Sequence, residues 1–229
     1  MEDLSRQVVG RGMEVGIAFD GDADRCLAVD EAGQLIDGDQ IMSIVGSDMK
    51  RDGRLKKDTI VATVMSNIGL SIMSRKEDIH LVHTRVGDRY VLENMVKHGY
   101  NLGGEQSGHV IFLDYNTTGD GLITAIQLLY VMKKTGKKLG ELKQIMDVYP
   151  QVLVNAHVKN ENKHAYLEDL EIQEEINKLE AQFKDEGRIL IRPSGTEPLV
   201  RVMIEGKDKK VMEAAAKELA KLIEKRLSL

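Results

Sequence analysis

Between Thr59 and His98, short apolar runs alternate with segments of helical spacing, and no other feature narrows the fold as much. Thr59–Val64 is apolar or β-branched throughout, the pattern of a strand buried on both faces. Ser66-Asn67 then opens a helix through Leu70 and Met73. His80–His83 is a second strand, and Gly87–His98 a second helix with Val91, Leu92, Met95 and Val96 on its apolar side. Strand–helix repeats at this spacing build βα units, and so a largely parallel or mixed sheet. Upstream, Val15–Phe19, Cys26–Val29 and Leu35-Ile36 are expected strands, the last two joined by a turn at Glu31-Ala32-Gly33. Ile41, Ile44 and Val45 predict a helix from Asp39, with Asp39 as its N-cap. Further helices are expected over Gly119–Lys134 and Leu139–Met146.

The rhythm changes at Tyr149-Pro150, the expected domain boundary. Beyond it, strand Val152–Val158, helix Leu170–Phe183, strands Arg188–Ile191 and Leu199–Glu205 and a final helix give the order β-α-β-β-α. Val211, Ala215, Leu219, Leu222 and Ile223 stripe that last helix. This order predicts a small α+β domain, two helices packed on an antiparallel sheet. The N-terminus leads into the first strand with little ahead of it to form a sheet, which suggests that the chain begins partway through a domain.

Composition removes several functional classes. With 42% hydrophobic and 30% charged residues, the chain has the make-up of a soluble globular protein. A net charge of −5 and no basic run argue against nucleic-acid binding, and no apolar stretch is long enough for a membrane span. The single cysteine, Cys26, excludes an intrachain disulfide and suits a cytoplasmic location; it is expected to be a small core residue.

The chemistry is concentrated in loops. Asp20-Gly21-Asp22-Ala23-Asp24-Arg25 leaves the strand Val15–Phe19 as a tight acidic turn. Three carboxylates so close repel one another, and a hard divalent cation with oxygen ligands, Mg²⁺ or Ca²⁺, relieves that repulsion. Asp20, Asp22 and Asp24 are therefore candidate metal ligands, in preference to a solvated acidic turn. Gly103–His109 combines three glycines with Glu105, Gln106, Ser107 and His109, a donor and acceptor set suited to sugar hydroxyls; the bland alternative is a polar β-turn. Arg192-Pro193-Ser194-Gly195-Thr196-Glu197-Pro198 carries two of the chain's three prolines. Arg192 can grip two phosphate oxygens, Ser194 and Thr196 offer hydroxyls, and Gly195 lets a bare N–H approach. Arg201 can bring a second guanidinium. In Thr84–Arg89, Arg85 and Arg89 either add positive potential near a phosphate or form surface salt bridges.

The acidic turn has two other readings. An EF-hand fails because Arg25 stands where its sharp turn needs glycine and because strands flank the loop. A phosphatase of the haloacid dehalogenase type, with Asp20 as nucleophile and Gly119-Asp120-Gly121 as an echo of its later acidic motif, is the runner-up, followed by a noncatalytic sugar-phosphate-binding module.

Taken together, the DGDADR, GEQSG and RPSGTEP loops, in that order, resemble the α-D-phosphohexomutases over essentially the whole chain. Val64–Leu70, Val86–Val91 and Thr117–Gly121 look most like the bacterial branch that acts on glucosamine phosphates. The resemblance implies residues 1–36 as the end of a mixed α/β second domain with the metal loop. Residues 37–148 would be a complete α/β third domain with the sugar loop, and 149–229 a small α+β fourth domain with the phosphate loop. It further implies Mg²⁺ on Asp20, Asp22 and Asp24, and a phosphorylated hexosamine held by Glu105, Ser107, Arg192, Ser194, Gly195, Thr196 and Arg201. Arg25 and His109 become candidate catalytic groups, in an isomerase that moves a phosphoryl group between O6 and O1 by way of a phosphoserine and a bisphosphate. A homodimer is allowed without being specified. No serine loop of the TASHNP type occurs here; on the resemblance, the chain is expected to be a C-terminal fragment that binds ligand without turnover.

Overall fold

The computed structural model describes residues 1–184 and 187–228. They form two compact units, Met1–Asp147 and Val148–Leu229. The first unit opens with helix α1 (Glu2–Arg11), a segment from which the sequence predicts no sheet, followed by the antiparallel strands β1 (Val15–Phe19), β2 (Cys26–Asp30) and β3 (Leu35–Ile36). Leu4 and Val8 of α1 lie so close to Gly16 that a Cβ there would meet them within 2.9 Å. The expected turn at Glu31–Gly33 is present, fastened by Asp30 Oδ1, which accepts from the amides of Ala32 and Gln34.

Helix α2 (Gly38–Arg51) begins two residues earlier than expected. Asp37, not Asp39, is its N-cap: Asp37 accepts from the Gln40 amide while the Gln40 side chain accepts from the Asp37 amide. This reciprocal pair satisfies two otherwise orphan amides, which Asp39, followed three residues later by Met42, cannot do. Asp39 is instead fully buried and accepts from the Asn67 amide at 2.7 Å.

Next come β4 (Thr59–Thr63), α3 (Ile68–Lys76), β5 (His80–Thr84), α4 (Asp88–His98), β6 (Leu102–Gly104), β7 (Val110–Phe112), α5 (Gly121–Thr135) and the short α6 (Leu139–Leu142). The sheet order is β5-β4-β6-β7, with β4 parallel to β5 and β6, and β7 antiparallel to β6. This is the mixed sheet that the alternation predicts. The continuous run in β4 has its reason in burial on both faces. Ile60 and Ala62 enter the main core with residues of α2, α3 and α5, while Val61 faces a second cluster with Val91 and Met95 of α4. The expected start of α5 at Gly119 moves to Gly121, because Asp120 caps the helix through Ile123 N.

The second unit comprises β8 (Gln151–His157), α7 (Leu170–Phe183), β9 (Arg188–Pro193), β10 (Leu199–Glu205) and α8 (Lys209–Leu227). Its antiparallel sheet has the order β8-β10-β9. Val152, Val200, Val202 and Ile204 pack against Ile172 and Ile176 of α7 and Ala216, Leu219 and Ile223 of α8. The expected α+β unit is therefore present. Among the described residues, no helix is long and apolar enough to cross a membrane.

Candidate functional site

The acidic turn is the hairpin tip between β1 and β2, closed where Phe19 pairs with Cys26. Ala23 adopts φ +59, and its amide and carbonyl are both held: Ala23 N donates to Asp20 O, and Gly121 N donates to Ala23 O at 2.9 Å. Gly121 has to be glycine for this approach, since a Cβ would stand 2.6 Å from the Arg25 carbonyl oxygen. The outcome is convergence: one carboxylate oxygen from each of Asp20, Asp22 and Asp24 lies within 4.8 Å of the others.

Electrostatics separate the three acids. Burial pushes the Asp24 carboxyl above its usual range, and the neighbouring carboxylates of Asp20 and Asp22 push it further. Burial would also raise Asp20. There the Arg25 amide, the contact with Asp24 and the Arg25 guanidinium prevail and hold it low. Asp24 Oδ1 is buried with no hydrogen-bond partner. An all-oxygen, triply anionic donor set, with one buried carboxylate oxygen that has no hydrogen bond and only Arg25 Nε at 3.9 Å, fits Mg²⁺. Glu31, the twelfth position of the discarded EF-hand, accepts from Gly140 N instead. Asp120, the acid of the phosphatase echo, is occupied as the α5 cap and as acceptor for Asn116.

The Gly103–His109 loop, the expected sugar loop, connects β6 to β7 and lies against the start of α2. Gly38 N donates to Gln106 O, and Gln106 Nε2 donates to Asp37 Oδ2 at 3.1 Å. Glu105, Val86 and Met65 follow the carboxyl ends of the parallel strands β6, β5 and β4, the rim where open α/β sheets bind ligands. They line one cleft of about 590 Å³ with Arg25, Gln106 and Ser107. Glu105 Oε1 accepts from the amide of Gly87, the N-cap residue of α4. Ser107 is exposed. The cleft also holds Asp37, Thr63 and Met65, none of them a site residue expected from sequence.

The Asp20–Arg25 and Gly103–His109 loops are joined. Cys26 N donates to Gly108 O at 3.0 Å, and Arg25 forms an isolated antiparallel bridge with His109. His109 is only 4% exposed, and its Nε2 lies 3.5 Å from Asp24 Oδ2 and 4.0 Å from Asp88 Oδ2. Gly119 makes room for the ring, because a Cβ there would meet it at 2.4 Å. Cys26 is fully buried, and burial pushes its thiol up to about 11, as suits a core residue. Of the two loop arginines, Arg89 pairs with Glu93 at 2.7 Å, the surface salt-bridge alternative, while Arg85 stacks over the Tyr90 ring.

In the second unit the loop Ser194–Pro198 joins β9 to β10, and Arg192 and Arg201 are direct cross-strand partners. Burial first, then the like charge of Arg201, lowers the Arg192 pKa. An anion between them would relieve that strain. Ser194 is buried, with its amide donating to Leu199 O and its hydroxyl accepting from Glu197 N, while Gly195 and Thr196 are exposed at the tip. Arg201 Nη2 pairs with Glu197 Oε2 at 3.1 Å. Lys163, which no sequence motif marks, donates to the carbonyls of Ser194 and Glu197.

Comparison with known proteins bears on both units. Residues 37–149 match "Phosphoglucomutase/phosphomannomutase, alpha/beta/alpha domain III", and residues 153–222 match "Phosphoglucomutase/phosphomannomutase, C-terminal domain". A phosphoglucosamine mutase of Acetivibrio thermocellus is 62% identical over 227 residues, 99% of this chain and 51% of the relative. One from Thermoanaerobacter sp. strain X514 is 61% identical over the same shares. The chain thus spans about half the length of the curated relatives it matches. Among solved structures, a Burkholderia thailandensis phosphoglucomutase/phosphomannomutase family protein has a TM-score of 0.75 at 22% identity, covering 99% of this chain and 50% of that one. The Aspergillus fumigatus N-acetylphosphoglucosamine mutase in complex with GlcNAc-6P and magnesium has 0.72 at 22%, covering 91% and 48%.

Proposed function

The chain belongs to the phosphoglucomutase/phosphomannomutase family, and from that premise we propose that it serves the interconversion of glucosamine 6-phosphate and glucosamine 1-phosphate. Relatives about 60% identical that are phosphoglucosamine mutases support this choice of sugar. The observation that carries the reading is the convergence of Asp20, Asp22 and Asp24 in the hairpin joined to the loop that bears Glu105 and Ser107. Asp20, Asp22 and Asp24 hold Mg²⁺, the ion named with the A. fumigatus relative. Bound there, the cation neutralises charge on a phosphoryl group in transfer. Arg25, half-exposed in the cleft, adds a guanidinium for phosphoryl oxygens. Glu105 accepts from a sugar hydroxyl with the oxygen that Gly87 does not engage, and Ser107 both donates and accepts. His109 acts through Asp24, keeping that carboxylate turned toward its neighbours. In the second unit Arg192, Ser194, Gly195, Thr196 and Arg201 hold a phosphate ester. We assign this work to the cytoplasm, in the supply of amino-sugar precursors for a bacterial cell wall.

No TASHNP-type serine loop occurs in this sequence, and we infer that the chain alone binds and does not turn over. Phosphorus NMR of the purified chain with glucosamine 6-phosphate and Mg²⁺ tests this. Expected are saturable binding, no glucosamine 1-phosphate and no inorganic phosphate. Glucosamine 1-phosphate formation would overturn the assignment of turnover elsewhere. Phosphate release that vanishes in Asp20→Asn would transfer the case to a phosphatase, and absence of binding would end both.

A further inference from the structure

We propose that Lys163 is a positioning residue of the Ser194–Pro198 loop, setting the direction of the Gly195 N–H; its use rests on the reading of that loop as a phosphate site. Lys163 lies between the 3₁₀ turns Asn160–Asn162 and Ala165–Leu167, in a segment fixed at several points. Asn162 Nδ2 donates to Leu227 O at 2.9 Å, Gln173 Nε2 to Tyr166 O at 2.8 Å, and Tyr166 OH to Ile191 O at 3.3 Å. From this support Lys163 Nζ reaches Ser194 O at 2.7 Å and Glu197 O at 3.4 Å.

The consequence comes from peptide planarity. In a trans peptide the C=O and the N–H of the next residue point in opposite directions. An ammonium holding the Ser194 carbonyl on one side therefore turns the Gly195 N–H to the other. The second carbonyl, that of Glu197, belongs to a peptide whose nitrogen is Pro198, so gripping it removes no donor. The amides of Ser194 and Glu197 are engaged inside the loop. Gly195 and Thr196 are exposed residues whose amides have no hydrogen bond among the described residues, and a Cβ at Gly195 would meet nothing within 4 Å. A cation on the carbonyl also polarises the peptide, making the opposite N–H a stronger donor to an anion. Lys163 is thus placed behind the loop, while Arg192, Arg201 and the tip amides offer the anion its contacts.

The test uses Lys163→Met and Lys163→Arg in the whole chain, with Lys159→Met as a control for bulk charge. Inorganic phosphate is titrated while ¹H–¹⁵N spectra are recorded. Lys163→Met is expected to weaken phosphate about tenfold, the scale of one charge-assisted hydrogen bond. It should also move the Gly195 amide resonance in the free chain and leave the Val200–Ile204 amides in place. Lys163→Arg should restore most of both effects, and Lys159→Met should change affinity less than twofold. If Lys163→Met does not fold, Lys163→Gln keeps a donor without the charge and should fall between wild type and loss. Phosphate affinity within twofold of wild type together with an unmoved Gly195 amide would overturn the proposal. Should wild type show no saturable phosphate binding, the phosphate reading fails, and the Gly195 amide still decides the role of Lys163.

Discussion

Gly108→Ala tests whether the metal and sugar loops are one mechanical object. Gly108 has φ +96, and an added Cβ would stand 2.4 Å from the Cys26 carbonyl oxygen and 3.0 Å from its carbon. Backbone there cannot swing aside as a side-chain tip can, because Cys26 N is itself bonded to Gly108 O and Cys26 begins β2. The left-handed conformation costs a residue with a Cβ roughly 1–2 kcal/mol, and overpacking adds about 1–3 kcal/mol. A loss of ~2–5 kcal/mol is expected, or an unfolding midpoint lower by roughly 6–12 °C for a central ~3 kcal/mol in a unit of this size. Cys26 adjoins Arg25, so part of the strain should reach the acidic turn and weaken Mn²⁺, used as a paramagnetic probe of the cation site, severalfold. Gly21→Ala is the control, since a Cβ there meets nothing within 4 Å; it should cost less than about 1 kcal/mol. Thermal unfolding by circular dichroism and Mn²⁺ titration by electron paramagnetic resonance read both effects. Equal stability and equal Mn²⁺ affinity in Gly108→Ala and wild type would refute the coupling.

If Asp20, Asp22 and Asp24 hold the cation as proposed, Asp24→Asn removes one of three charged ligands and should lower Mg²⁺ affinity at least tenfold by calorimetry. In chelator its effect on stability has the opposite sign. The folded chain holds the Asp24 proton more tightly than the unfolded one, so Asp24 lowers stability as pH rises from its ordinary 3.8 through the raised folded value. Urea unfolding in EDTA across that window should show a falling component in wild type that is missing in Asp24→Asn. Asp37→Ala removes the α2 cap and the acceptor for Gln106, and should cost about 1–2 kcal/mol in urea unfolding. Arg192→Lys keeps the charge but loses the planar fork; phosphate affinity should drop about tenfold in titration while the unfolding midpoint stays put.

How much of this was legible in the sequence follows from the range over which each residue acts. Helix Leu170–Phe183 and strand Leu199–Glu205 match the expected limits because their apolar periodicity is written inside the segment. The start of α2 was misplaced although its signal is local: Asp37 and Gln40 have the spacing of a capping box, and Asp39 and Met42 do not. Helix α1 was missed for another reason. Val8 is its one buried residue, so its stripe is too thin to read until β1 and β2 are there to receive Leu4 and Val8. The candidate site divides along the same line. Asp20, Asp22 and Asp24, or Arg192 and Ser194, announce chemistry through residue type and spacing. Residues that act by holding another carry no such mark. Gly119 looks like part of an acidic motif until the His109 ring is found against it, and Lys163 looks like a surface lysine until the fold brings it to a carbonyl 31 positions away. Motif residues state what a loop can bind, while the direction in which its donors point depends on distant contacts that only the folded chain creates. An isolated peptide of the Arg192–Pro198 sequence would hold every group of that loop proposed to bind phosphate and lack the constraint proposed to aim the Gly195 amide.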